Sequence, residues 1–147
     1  MKSSVRTGCL MLISGCILTV NTLAQGTTVV DDSIFSHVLN EQRKIRILLP
    51  DEYKSVSGAK FDVVFLLDGE SHFDDFSFIY NFARKEKLLP PLILVAIINT
   101  YTDKGNMRDR DFLPSKTPGN DKAGGADNFK EFLKDELIPF IEEKYPA

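Results

Sequence analysis

Two continuous apolar runs constrain this chain more than any other feature. Phe61-Asp62-Val63-Val64-Phe65-Leu66-Leu67 is apolar without a break from Val63 and rich in branched and aromatic side chains. Leu92 to Ile98 repeats the pattern. A half-exposed strand alternates apolar and polar residues, because successive side chains point to opposite faces. A run without alternation suits a strand covered on both faces, as in a parallel sheet. Between the runs, Phe76, Ile79, Tyr80 and Ala83 fall at i, i+3, i+4 and i+7, one face of a helix. Asp74 or Asp75 is placed to cap its start, and Arg84, Lys85 and Lys87 suit the dipole of its last turn. Strand, helix, strand predicts an α/β layer with parallel strands.

The flanking segments extend this plan. Ser33 to Leu39 and Arg43 to Leu49 read as two strands, with Ile45, Ile47 and Leu49 on one face of the second. Asn40-Glu41-Gln42 is a short polar connection, so an antiparallel hairpin is expected. Asp51 to Lys60 is a loop. Asn99 to Gly125 is long, polar and rich in Gly, Pro and charge, which predicts a functional or mobile loop. From Asp127, a plausible N-cap, to Tyr145 the spacing of Phe129, Phe132, Leu133, Leu137, Phe140 and Ile141 is helical. Pro139 removes a backbone donor there and should kink or interrupt the helix.

Residues 1–24 differ from the rest. Lys2 and Arg6 precede a mostly apolar stretch from Cys9 to Val20, and Thr22-Leu23-Ala24 offers small residues at the −3 and −1 positions. This is the pattern of a secretory signal peptide cut after Ala24, too short for a comfortable membrane span. In a competing reading, Ile13-Ser14-Gly15-Cys16 resembles a lipobox and Cys16 carries a lipid anchor. The chain is then exported, periplasmic or secreted or alternatively lipid-anchored, with residues 25–32 a flexible lead-in and 33–147 the folded part. Both cysteines, Cys9 and Cys16, lie in the leader, so the mature chain has no disulfide. The formal net charge of −3 becomes −5 once the leader's two basic residues are removed (−3 − 2 = −5). Neither value favours nucleic acid as a partner.

No Gly-x-Ser-x-Gly occurs, and none of Ser55, Ser57, Ser71, Ser77 and Ser115 follows a strand with flanking glycines. A nucleophile elbow needs those small neighbours because its serine sits in a strained turn. Asp68-Gly69-Glu70-Ser71-His72-Phe73-Asp74-Asp75 holds Ser, His and Asp together. Neighbours in one loop rarely converge with the imidazole between the other two, so a Ser71/His72/Asp74 triad is disfavoured. One histidine with nearby carboxylates has no recognisable metal-ligand pattern either. The backbone is the better candidate. Gly69 and Glu70 follow a buried strand and precede a helix, where N–H groups can face a cleft at the carboxyl end of the sheet. Arg108, Arg110 and Asp111, after the next strand, are either a solvated loop or a substrate-facing rim.

Five segments together carry a family resemblance. They are Arg43 to Pro50 with Glu52-Tyr53, Phe61 to Glu70, Pro90 to Asn99, Met107 to Pro114, and Gly124-Gly125-Ala126 followed by Phe129 to Tyr145. In this order they resemble the first half of the putative-esterase family, which includes enterochelin esterase and esterase D and has the α/β-hydrolase fold. The resemblance implies a partial α/β-hydrolase fold: an antiparallel hairpin, then parallel strands with flanking helices, ending before the elbow.

It also implies an exported carboxylic-ester hydrolase working through a serine nucleophile and an acyl-enzyme, on a small-molecule ester, with no cofactor or metal. Glu70, with Gly69 allowing the turn, matches the residue whose backbone N–H lines the oxyanion hole. Arg110 and Asp111 match the motif bordering the active site, and Leu113 stands where the family often has Thr. No catalytic residue is expected among these 147; serine, acid and histidine are expected beyond Ala147, which makes the chain an inactive fragment. The alternative is a non-enzymatic exported binding or accessory protein built on half of the fold. In either case the family's sheet order leaves Phe61 to Leu67 as an exposed, aggregation-prone edge.

Overall fold

The structure is a computed structural model that describes residues 27–55 and 58–147. The leader and Cys16 lie outside the described residues. One sheet organises the rest, in the order β1-β2-β4-β3. β1 (Thr28–Ser36) pairs antiparallel with β2 (Glu41–Leu49) along its whole length, from Thr28 opposite Leu49 to Ser36 opposite Glu41. β2 is antiparallel to β4 (Leu92–Ile97), and β3 (Asp62–Leu66) is parallel to β4. The parallel pair is joined by α1 (Gly69–Lys85), as the alternation of apolar runs and helix predicts. Residues 28–32, expected as a flexible lead-in, are instead the first half of β1, because β2 offers them a full ladder of backbone partners. The hairpin turn correspondingly falls on residues 37–40, with Asn40 in the left-handed region at φ 51°.

The sheet is covered on both faces at its centre only. On one face Ile45, Ile47, Leu49, Ile93, Val95 and Ile97 pack against Phe129, Phe132, Leu137 and Ile141 of the C-terminal helix. On the other, Leu48, Leu66, Leu94 and Ala96 pack against Phe73 and Tyr80 of α1. β4 therefore contributes to both cores, which accounts for its unbroken apolar run. β3 is not covered on both faces as its apolar run suggests, and stands instead as the exposed edge that the family's sheet order implies: Val64 is 40% exposed. β3 is the edge of the described sheet, and α1 seats itself over its neighbours rather than beyond it.

α1 also turns differently from its apolar spacing. Phe73 and Tyr80 are the buried pair, fixed where the Tyr80 hydroxyl donates to the Leu92 carbonyl and accepts from the Leu92 N–H. Phe76 and Ile79 are left exposed. With Val64, Tyr80, Leu89 and Leu94 they line an apolar groove of about 280 Å³ beside β3. Asp74 and Asp75, expected as caps, lie inside the helix, which begins five residues before Asp74.

The 99–125 segment is structured rather than loose. It holds a small hairpin of β5 (Tyr101–Thr102) and β6 (Gly105–Asn106), then α2 (Arg108–Phe112). The final helix starts at α3 (Ala126–Glu131), one residue before the expected cap Asp127. It widens into a π-helical stretch (Phe132–Leu137) and continues as α4 (Ile138–Lys144). The Ile138 N–H reaches back five residues to the Leu133 carbonyl. The wide turn comes immediately before Pro139, which lacks an N–H and crowds the preceding turn, so the helix absorbs the proline without ending. No described helix is long and apolar enough to cross a membrane.

Candidate active site

The carboxyl ends of β3 and β4 meet the start of α1 and the 99–113 segment. This is where an open α/β sheet binds ligands. β3 is followed by Asp68, which adopts the left-handed conformation at φ 53° and ψ 43° and turns the chain into α1. Gly69 then presses against β4: a Cβ at this position would stand 2.9 Å from the Ala96 Cβ and 3.0 Å from the Ile97 carbonyl oxygen. Only glycine lets the turn sit this close. Gly69 and Glu70 thus occupy the first turn of a 17-residue helix. N–H groups at such positions have no carbonyl partner within the helix and carry the positive end of its dipole. The Ser71 and His72 N–H groups are satisfied by the Asp68 carbonyl, at 2.9 and 3.2 Å.

The side chains around this turn form a polar cluster. The Asp68 carboxylate accepts from Arg108 Nε at 2.8 Å, Arg108 Nη2 at 3.0 Å and Asn99 Nδ2 at 2.7 Å. The hydrogen bonds from Arg108 hold its carboxyl below the usual range. Glu70 accepts from the Asn99 N–H at 3.1 Å and from Asn99 Nδ2 at 2.7 Å. Burial pushes the Glu70 carboxyl up, but the Asn99 N–H, its own N–H and the Asn99 side chain together bring it below the usual range. Beside the cluster, Gln42, Lys44, Ile98, Asn99, Thr100 and Tyr101 line a cleft of about 230 Å³. The larger apolar groove lies toward the opposite end of β4.

Arg110 and Asp111 lie in α2, but not on an open rim. Asp111 is buried and accepts from Arg43 Nη1 at 2.7 Å and from Arg110 Nε at 2.7 Å. Arg110 also grips Glu41 with Nη1 at 2.8 Å and Nη2 at 2.7 Å. Arg43, fully buried, bonds Glu41 and Thr100 as well, and its guanidinium lies 5.3 Å and 5.6 Å from the Phe129 and Phe132 rings. Burial pushes the Glu41 carboxyl up, but hydrogen bonds from Arg110, Arg43 and Thr100 outweigh it and bring it to about 2. Two cations and two anions thus tie α2 to the hairpin. Arg43 was legible in part: it shares the strand parity of Ile45, Ile47 and Leu49, so an arginine on the buried face demanded a buried partner.

Ser71, His72 and Asp74 fall in the first turns of α1 and are exposed. Positions i and i+1 on a helix do not face each other, and no hydrogen bond among the described residues joins these side chains. Nor do the described residues hold a group of His, Cys, Asp and Glu that could bind a metal ion. The residues that sequence reasoning gave no role are Asp68 and Asn99. Neither carries a local signal, because both act through contacts across the fold.

Solved structures similar to this chain include an IroE-like serine hydrolase from Shewanella oneidensis, 32% identical with a TM-score of 0.72, matched over 82% of this chain and 40% of that one. A ferulic acid esterase from Anaeromyces mucronatus is 25% identical with a TM-score of 0.59, over 82% and 44% respectively. The ferric enterobactin esterase of Salmonella typhimurium, 16% identical with a TM-score of 0.59 over 81% and 26%, shares the fold. The chain spans less than half the length of each. No curated protein matches it. The "Putative esterase" family model matches residues 36–147. With its partial α/β-hydrolase sheet and this match over most of its length, the chain belongs to the putative-esterase family.

Proposed function

We propose that this chain supplies the oxyanion-hole side of a carboxylic-ester hydrolase with a serine nucleophile. The observation that carries the reading is the tight Asp68-Gly69-Glu70 turn at the carboxyl end of β3, in a chain of this family. Serine would attack the ester carbonyl while histidine takes its proton, giving a tetrahedral intermediate. The Glu70 N–H would stabilise the oxyanion, and collapse would release the alcohol and leave an acyl-enzyme for water to hydrolyse. One such donor is worth a factor of about 10² to 10³ in rate. The nucleophile, acid and histidine are assigned to sequence beyond these 147 residues, since no elbow motif occurs within them. The substrate class is a small carboxylic ester, in keeping with the ferulic acid and enterobactin esterases among the similar structures. Export rests on the basic start and apolar run of residues 1–24.

The test has two arms. A gene product extended by the sequence downstream of codon 147 should hydrolyse p-nitrophenyl esters and be labelled by a fluorophosphonate probe. The 147 residues alone should do neither. Turnover by the 147-residue chain that disappears in Ser71→Ala would overturn the proposal. An extended product that is neither labelled nor active would favour the binding or accessory protein.

A further inference from the structure

The polar cleft at the carboxyl end of β4 touches the Asp68-Gly69-Glu70 turn. Gln42, Lys44, Ile98, Asn99, Thr100 and Tyr101 enclose about 230 Å³ there. A site for a whole small-molecule ligand runs to about 300–1,000 Å³, so this space suits one end of a substrate. Its wall reaches the turn itself. Ile98 Cδ1 stands 3.0 Å from where a Cβ on Gly69 would be. Asn99 binds the Glu70 carboxylate through its N–H and Nδ2, and the Tyr101 hydroxyl lies 3.4 Å from Glu70 Oε1. A group seated in the cleft is therefore next to an ester held at Gly69 and Glu70.

The charge of the cleft is one-sided. No acidic residue lines it, and Lys44 is its single charged residue. The carboxylates nearby are committed elsewhere: Glu41 to Arg43 and Arg110, Asp68 to Arg108, and Glu70 to Asn99. Lys44 has no such partner. On the same face of β2, Arg46 stands opposite Asp31 and pairs with it at 2.6 Å, whereas Lys44 stands opposite Ser33. No ion pair among the described residues includes Lys44. Ile98 and Tyr101 add apolar surface beside this ammonium. Such walls fit a short apolar or aromatic group that ends in an acid, because apolar surface holds the body and one charged group fixes the end. We propose that this cleft is a substrate subsite for the carboxylate-bearing end of an acidic ester, with Lys44 as its specificity-determining residue. The inference rests on the esterase reading and adds a substrate class to it.

Two pairs of esters test it in the extended, active protein. 4-Acetoxyphenylacetate carries the acid on the alcohol side, and monomethyl terephthalate carries it on the acyl side. Each is set against its neutral amide counterpart. At least one pair should favour the acid by about fivefold in kcat/KM, the worth of a partly exposed ion pair, and mainly through KM. Lys44→Gln should abolish the preference and Lys44→Glu should reverse it. The pair that responds tells which side of the ester the cleft receives. No preference in either pair overturns the proposal, as does a preference that survives Lys44→Gln. Ligand-observed NMR on the 147-residue chain at low micromolar concentration gives a readout independent of activity. Phenylacetate should bind about fivefold more tightly than phenylacetamide, and Lys44→Gln should make the two equal. Equal binding to the wild type overturns the proposal even if the esterase reading stands. A Lys44-dependent preference in an extended protein that proves inactive would sink the esterase reading and leave the acid-binding site intact.

Discussion

Asp111→Asn should destabilise the protein severely while changing its shape hardly at all. Asp111 and Arg43 have side chains 1% and 0% exposed, and their 2.7 Å contact is one of three ion pairs in the buried cluster that involve a charge with no access to water. The wild-type cluster is neutral: Arg43 and Arg110 against Glu41 and Asp111. The asparagine leaves a net positive charge there and aims an N–H₂ group at one of two guanidinium donors. Breaking a buried pair by neutralising one partner costs about 3–5 kcal/mol. Arg43 keeps Glu41 at 2.9 Å, so the lower end, about 3 kcal/mol, applies here. That is a large share of a total stability of about 5–15 kcal/mol. Urea unfolding of the 147-residue chain at low micromolar concentration measures it. Asp127→Asn is the control, since the Lys130–Asp127 pair is 78% and 93% exposed and should be worth less than about 1 kcal/mol. The double variant Arg43→Met/Asp111→Leu should regain most of the loss, because it removes both charges. A loss below about 1 kcal/mol for Asp111→Asn, within the range of exposed pairs, would refute the view that this cluster anchors α2.

The cluster should also set the acid limit of stability. Glu41 is lowered from 4.5 to about 2 in the folded chain. A depressed carboxylate adds stability that is fully present above its unfolded pKa and is lost as pH falls through the folded one. Glu41→Gln should therefore flatten the fall in stability between about pH 4.5 and about pH 2 in an acid titration of the urea midpoint; an unchanged slope would count against the ion network. At the other end of the sheet, the unpaired edge of β3 and the exposed Phe76, Ile79, Leu88 and Leu89 should drive concentration-dependent association of the 147-residue chain. Val64→Lys should reduce it in light scattering. A wild-type chain that stays monomeric and unfolds cooperatively would favour the accessory-protein reading.

Sequence by itself determined what depends on periodicity. The alternation in β2, the unbroken run of β4 and the helical spacing after Ala126 follow from where side chains must point, so strands, helices and the α/β layer were readable. The turn at Gly69 and Glu70 was also readable, from its place between an apolar strand and a helix. Tertiary structure decided what depends on partners. It chose Phe73 and Tyr80 as the buried face of α1, because the helix had to seat over Leu48, Leu94 and Ala96 rather than past the β3 edge. Arg110 and Asp111 became an anchor, because Glu41 and Arg43 arrive beside them from residues 69 and 68 positions away. It also decided the partners of Asp68, because the end of β4 and the start of α2 bring Asn99 and Arg108 to its carboxylate from 31 and 40 positions away.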